Sequence, residues 1–92
     1  MNKLEECRKE IDEIDSEIIR LFEKRMDIAI RVANYKKENE IPIYNSGRES
    51  EIINKSVDRL NNKEYELVTR RFFLNLMELS RSIQESVVKS DK

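Results

Sequence analysis

The stretch "LEECRKEIDEIDSEIIRLFEKRMDIAIRVANYKKE", Leu4 to Glu38, decides the fold. Its apolar residues fall at Leu4, Cys7, Ile11, Ile14, Ile18 and Leu21 and resume at Ile28, Val32 and Tyr35, a three-four alternation with good helix formers between. This spacing predicts one amphipathic helix from about Lys3 to about Glu38, roughly 54 Å long at about 1.5 Å per residue. A compact chain of 92 residues has a radius of gyration near 12 Å and a diameter of about 30 Å. The helix overshoots its own domain, and the rest of the chain is too short to cover its stripe. A second copy is the economical cover, so an intertwined homodimer is expected.

The remainder of the chain agrees with an all-α protein of three helices, a single domain over residues 1–92. One Gly, one Pro and 40% charged residues suit long helices better than a sheet with many turns. A chain this short buries only a modest core unless a partner extends it. Lys and Arg total 18 against 19 Asp and Glu, so no global positive field draws nucleic acid or an anionic membrane. Cys7 has no second cysteine to pair with, there is no His, and no cluster has metal-ligand spacing, so no metal is expected. No apolar run approaches the roughly 18 residues that span a bilayer, and the start "MNKLEECRKE" is charged throughout. A soluble cytoplasmic protein is expected.

Beyond the long helix comes "YKKENEIPIYNSGRESE", Tyr35 to Glu51, with the only proline and the only glycine. Pro42 disfavours helical geometry at Ile41, so the first helix is expected to end near Asn39. Ser46 and Glu49 match the S-x-x-E capping box, with Ser46 at the N-cap of a second helix running to about Leu60. Ile52, Ile53, Val57 and Leu60 face inward in it. "NNKE" turns the chain into a third helix from about Lys63 to about Val88, with Leu67, Phe73, Leu76, Met77, Ile83 and Val87 on one face.

Polar groups interrupt these apolar faces. The register that turns Ile18, Leu21, Ile28 and Val32 inward also turns Arg25 inward, where a guanidinium is costly without an anionic partner. Arg25 can instead snorkel to a helix edge. Lys36, eleven residues on, shares the face of Arg25 to within roughly 20° at about 16 Å. Arg8 lies about 25 Å from Arg25 along the helix and roughly 100° around it, so the two cannot reach one small ligand from the same helix. On the third helix Ser80 and Gln84 sit at i and i+4 within the apolar series. They can satisfy each other, and Glu49 can act as a cap, although a side chain in the first turn of a helix can also face a pocket. Together the groups outline a dry cavity for a small, multiply anionic ligand.

These pieces carry a resemblance: "CRKEIDEID" with Arg8, "LFEKRMDIA" with Arg25, "YKKEN" with Lys36, "PIYNSGRE" from Pro42, and "SRSIQ" with Ser80 and Gln84. Their order and spacing, over essentially the whole chain, resemble the all-helical chorismate mutases, whose three helices form an intertwined dimer. The resemblance implies an isomerase that converts chorismate to prephenate by an intramolecular [3,3] rearrangement, on the route to phenylalanine and tyrosine. It implies no cofactor. Carried over, Arg25 and the partner subunit's Arg8 grip substrate carboxylates, supported by Arg48 and Ser80. Lys36 and Gln84 donate to the ether oxygen, while Glu49 accepts from the ring hydroxyl and keeps Lys36 charged and aimed. Pro42 and Gly47 would let the chain turn to close the pocket. Relatives often carry a carboxylate at the place of Asn45, against the ring hydroxyl; Asn45 can accept a hydrogen bond there but brings no charge.

Three other readings share parts of this pattern. An isochorismate-pyruvate lyase has the same fold and much of the cationic pocket. A helical dimer that only mediates association would use the inward polar groups to set register. A weak catalyst completed by a partner enzyme of the same pathway has the same residues. The length of 92 residues leaves no room for a fused regulatory domain in the expected protein.

Overall fold

The computed structural model describes residues 2–90. Three helices account for most of them: α1 (Lys3–Glu38), α2 (Ser46–Asp58) and α3 (Glu66–Lys89), with a single 3-10 turn over Lys63–Tyr65 leading into α3. The expected order of one long, one short and one long helix is what forms. α1 starts where the Asn2 side chain accepts from the Glu5 backbone N–H at 2.8 Å, with Glu5 and Glu6 in the first turn and Lys36 and Lys37 in the last. Both ends thus complement the helix dipole. Among the described residues no helix is long and apolar enough to cross a membrane.

The end of α1 has a specific geometry. Ile41 N–H bonds back to the Lys36 carbonyl at 2.8 Å and Glu40 N–H to that of Lys37 at 3.3 Å, a Schellman pair closed by Glu40 at φ 55°. Glu40 therefore supplies the one left-handed residue among the described residues, in the turn expected to rest on Pro42 and Gly47. Gly47 does not: it lies inside α2 with no positive φ, and a Cβ there would meet only Asn45 Oδ1 at an ordinary 3.5 Å.

The capping box is also absent. Asn45, extended at φ −138° and ψ 98°, caps α2, its Oδ1 accepting from Arg48 N–H and its carbonyl from Glu49 N–H, both at 3.0 Å. Asn is at least as good a cap as Ser, and it lies one residue earlier, so Ser46 enters the first turn. Glu49 is released from capping. α2 stops at Asp58 with Arg59 as its C-cap, short of Leu60, and Lys63 Nζ satisfies the terminal carbonyls by donating to those of Val57 and Asp58 at 2.9 and 3.2 Å.

The core sits at one end of α1. Met26, Ala29 and Ala33, spaced three and four apart, bury against α3, where Leu76, Met77, Ser80 and Gln84 are buried, and α3 packs in turn on Ser56 and Val57 of α2. Alanines at 29 and 33 let the helix axes approach closely. The expected inward register holds only in part: Ile18, Leu21, Ile28 and Val32 stay exposed in the single chain, as do Leu4, Ile11 and Ile14. Nothing before Met26 is buried among the described residues of α1. The longest dimension, 56 Å, is that of α1, and the radius of gyration of 16.7 Å exceeds the compact value of about 12 Å. The α1 stripe projects beyond its own fold.

Candidate active site

A cavity of about 270 Å³ lies where the C-terminal half of α1, the start of α2 and the second half of α3 converge. α1 contributes Arg25, Ala29, Val32 and Lys36; α2 contributes Arg48, Glu49 and Ile52; α3 contributes Met77, Ser80, Arg81 and Gln84. Ile43 and Asn45 close it from the loop between α1 and α2. Four cations face one carboxylate across apolar walls, a composition made for an anion with more than one charge.

Arg25 is half-buried, and among the described residues it has no hydrogen-bonded or ion-paired partner. Burial, and then the like charge of Arg48, lower its pKa from the ordinary guanidinium value. Both effects oppose the charged form of a group that stays protonated in proteins. A bound anion relieves them together. Arg48 is more exposed and donates from Nη1 to Glu51 Oε1 at 2.6 Å on the outer flank of α2. That pair holds the Glu51 carboxyl below its ordinary range. Arg48 also lines the cavity, and its pair with Glu51 is an exposed one, worth little in water.

Lys36 comes from the last turn of α1, and its Nζ donates to the Ile43 carbonyl at 2.8 Å. This bond aims the ammonium at the loop side of the cavity and leaves two of its three donors for other acceptors. Glu49 holds a different partner from the expected Lys36. Both of its carboxylate oxygens accept from Arg81 Nη1, Oε1 at 2.6 Å, across 32 residues of sequence. The pair raises the Arg81 pKa from its ordinary value, the hydrogen bond to Glu49 being the main cause. Arg81 also lies under the Tyr44 ring, with Cζ 5.2 Å from the centroid.

At the opposite wall Gln84 Nε2 donates to Ser80 Oγ at 3.0 Å, the i, i+4 pair expected on α3. Gln84 Oε1 is buried and has no partner in the single chain among the described residues.

The fold therefore gathers Lys36, Gln84, Glu49, Arg25, Arg48, Ser80 and Asn45 around one cavity. Arg8 stands apart, exposed on the projecting half of α1 and absent from the cavity wall. Arg81 was not expected. A lone arginine beside Ser80 reads as part of a solvated helix face, and only its contact with Glu49 places it in the site. Among the described residues no group of His, Cys, Asp or Glu could hold a metal ion.

The family model described as chorismate mutase type II matches residues 7–85. The chain is 45% identical over 65 residues to a bifunctional chorismate mutase/prephenate dehydratase of Aquifex aeolicus, covering 71% of this chain and 18% of that protein. It is 34% identical over 94 residues to a chorismate mutase of Methanocaldococcus jannaschii, covering 97% of this chain and 91% of the relative. It is also similar to a 4-amino-4-deoxychorismate mutase of Streptomyces venezuelae, 33% identical over 49 residues, 53% of this chain and 48% of the relative. Among solved structures no match is found.

Proposed function

The chain belongs to the chorismate mutase type II family, and on that premise we propose that it isomerises chorismate to prephenate. The observation that carries this reading is Arg25, a half-buried guanidinium without an anionic partner among the described residues, facing Arg48 in a cavity that also holds Lys36. Such a site is costly when empty and suited to a ligand with two carboxylates.

The rearrangement breaks one C–O bond and forms one C–C bond within a single molecule, so the protein needs no nucleophile. Its work is to hold the enolpyruvyl ether over the ring and to stabilise charge on the ether oxygen as the C–O bond lengthens. In the proposed arrangement Arg25 and Arg48 bind carboxylates with help from Ser80. Lys36 and the Gln84 amide donate to the ether oxygen, and Glu49 accepts from the ring hydroxyl, with Asn45 as a further neutral acceptor beside it.

The same reading includes a homodimer in which Arg8 completes the site of the partner subunit. Its support is the exposed stripe of Leu4, Ile11, Ile14, Ile18 and Leu21, which extends along α1 past everything the single chain can bury. Arg8 lies on this projecting half.

Purified protein mixed with chorismate should make the substrate's absorbance disappear and yield prephenate. Isochorismate and 4-amino-4-deoxychorismate are run in parallel. Intact chorismate alongside release of pyruvate from isochorismate would replace this reading with the lyase. Intact chorismate with turnover of the amino compound would move the substrate to that class.

A further inference from the structure

Glu49 lies in the cavity with both carboxylate oxygens already engaged by one nitrogen of Arg81. This contact is not an incidental surface pair. Its members are 32 residues apart, on α2 and α3, and their side chains are only 19% and 28% exposed. Arg81 is held on its other side by the Tyr44 ring, so the connecting loop and two helices together fix where the guanidinium sits. Lys36, the cation nearest in role, is occupied with the Ile43 carbonyl.

Pairing changes what Glu49 can accept. A bare carboxylate in a cavity is a counter-ion, and it attracts an ammonium group more strongly than a hydroxyl. A carboxylate whose charge is already met by Arg81 still has lone pairs for a hydroxyl donor. An ammonium at the same place would sit beside a guanidinium, in a cavity whose remaining charges are three further cations. We propose that Arg81, through its ion pair with Glu49, is a positioning residue that makes the site select a ring hydroxyl over a ring amine in the substrate. This rests on the chorismate mutase reading and adds a determinant of specificity to it.

The test compares kcat/KM for chorismate and for the analogue bearing an amine in place of the ring hydroxyl. Wild type, Arg81→Ala, Arg81→Gln, Arg81→Lys, Glu49→Gln and the Arg81→Gln/Glu49→Gln double variant are measured, with folding checked by circular dichroism. Arg81→Gln removes the charge but keeps a polar, hydrogen-bonding side chain, and it is the variant to rely on if Arg81→Ala fails to fold. The expected result is that Arg81→Gln and Arg81→Ala shift the hydroxyl-to-amine ratio at least tenfold toward the amine. Arg81→Lys, which restores the cation, should return most of the selectivity. In the Glu49→Gln background the Arg81 substitution should leave the ratio unchanged, because the carboxylate through which it acts is gone. An unchanged ratio in folded Arg81→Gln, or the same shift with and without Glu49, overturns the proposal while wild-type turnover of chorismate leaves the parent reading standing. Wild type inactive on chorismate overturns both.

Discussion

Gln84 Nε2 donates to Ser80 Oγ at 3.0 Å, while Gln84 Oε1 on the same carboxamide is buried without a partner among the described residues. Leaving a buried polar atom unmatched costs about 1–3 kcal/mol. Turning the amide over lets Oε1 accept from the Ser80 hydroxyl and frees the two N–H groups. Ser80 can thus satisfy one end of Gln84 in either orientation, but not both ends. The second end requires something that enters the cavity, and an oxygen gaining negative charge suits the N–H orientation.

Gln84→Glu tests that orientation. An ionised carboxylate at this place repels the developing charge on the ether oxygen, and only its protonated form can donate. The variant should be roughly a hundredfold or more below wild type at pH 8, the scale of one lost oxyanion donor, and should recover as pH falls. A pH–rate profile of kcat checks it; wild-type activity at pH 8 would remove Gln84 from the ether-oxygen role.

Arg25 should show opposed effects on stability and activity. Its guanidinium is half-buried beside the like charge of Arg48 and has no anionic partner among the described residues, so an unbranched apolar side chain that replaces only its aliphatic stem fits the empty protein better. Arg25→Met should hold or raise the thermal midpoint while kcat/KM for chorismate falls by about two orders of magnitude or more, as for a lost charge-assisted contact. A clear drop in midpoint would mean that Arg25 already has a structural anion in the assembled protein.

Lys36→Ala and Arg8→Ala examine the assembly. Each homodimer should be nearly inactive, because every site would contain one defect. A mixed dimer collects both defects in one site and leaves the other intact. Unfolding the two variants together and refolding them at equal concentration gives about half mixed dimers, so about a quarter of wild-type activity should return. Mixing without unfolding should restore little where subunits exchange slowly. Mixed dimers confirmed by mass, yet no more active than the average of the parents, would show that Arg8 stays within its own subunit's site.

The turn after α1 offers a stability prediction away from the cavity. Glu40 holds φ 55°, where a Cβ carries a penalty of about 1–2 kcal/mol and Gly carries none. Offset by the added freedom of Gly in the unfolded chain, Glu40→Gly should stabilise the protein by about 0.5–1 kcal/mol. Denaturant unfolding at an unchanged m-value checks this. A destabilised variant would indicate that the Glu40 side chain makes a compensating contact.

Helix type, helix order and much of the cavity lining were legible because they depend on short-range periodicity. The bounds of α1 follow from its three-four alternation, and the breaker Pro42 marks where it cannot continue. Arg25, Lys36, Ser80 and Gln84 stood out because each places a polar group within an apolar series, an anomaly visible along a single helix. Helix ends were less legible. Asn45 and Ser46 are both good caps in adjacent positions, and the choice depends on the φ and ψ that the loop imposes on Asn45. Gly47 was expected to help the chain turn, but it lies inside α2, and the left-handed residue is Glu40, where the Schellman bonds to Lys36 and Lys37 close.

What the sequence determined alone was the three-helix architecture and a set of polar groups on apolar faces, because helical periodicity is a local property. Tertiary structure decided which of those groups meet. Glu49 could cap α2, hold Lys36 or pair elsewhere, and only the packing of α2 on α3 brings it to Arg81 across 32 residues. The same packing selects Met26, Ala29 and Ala33 as the buried face of α1 and leaves the longer aliphatic stripe exposed. A side chain's partner is set by where two helices cross, and a crossing depends on residues from both chain segments at once. No reading along one helix contains that information.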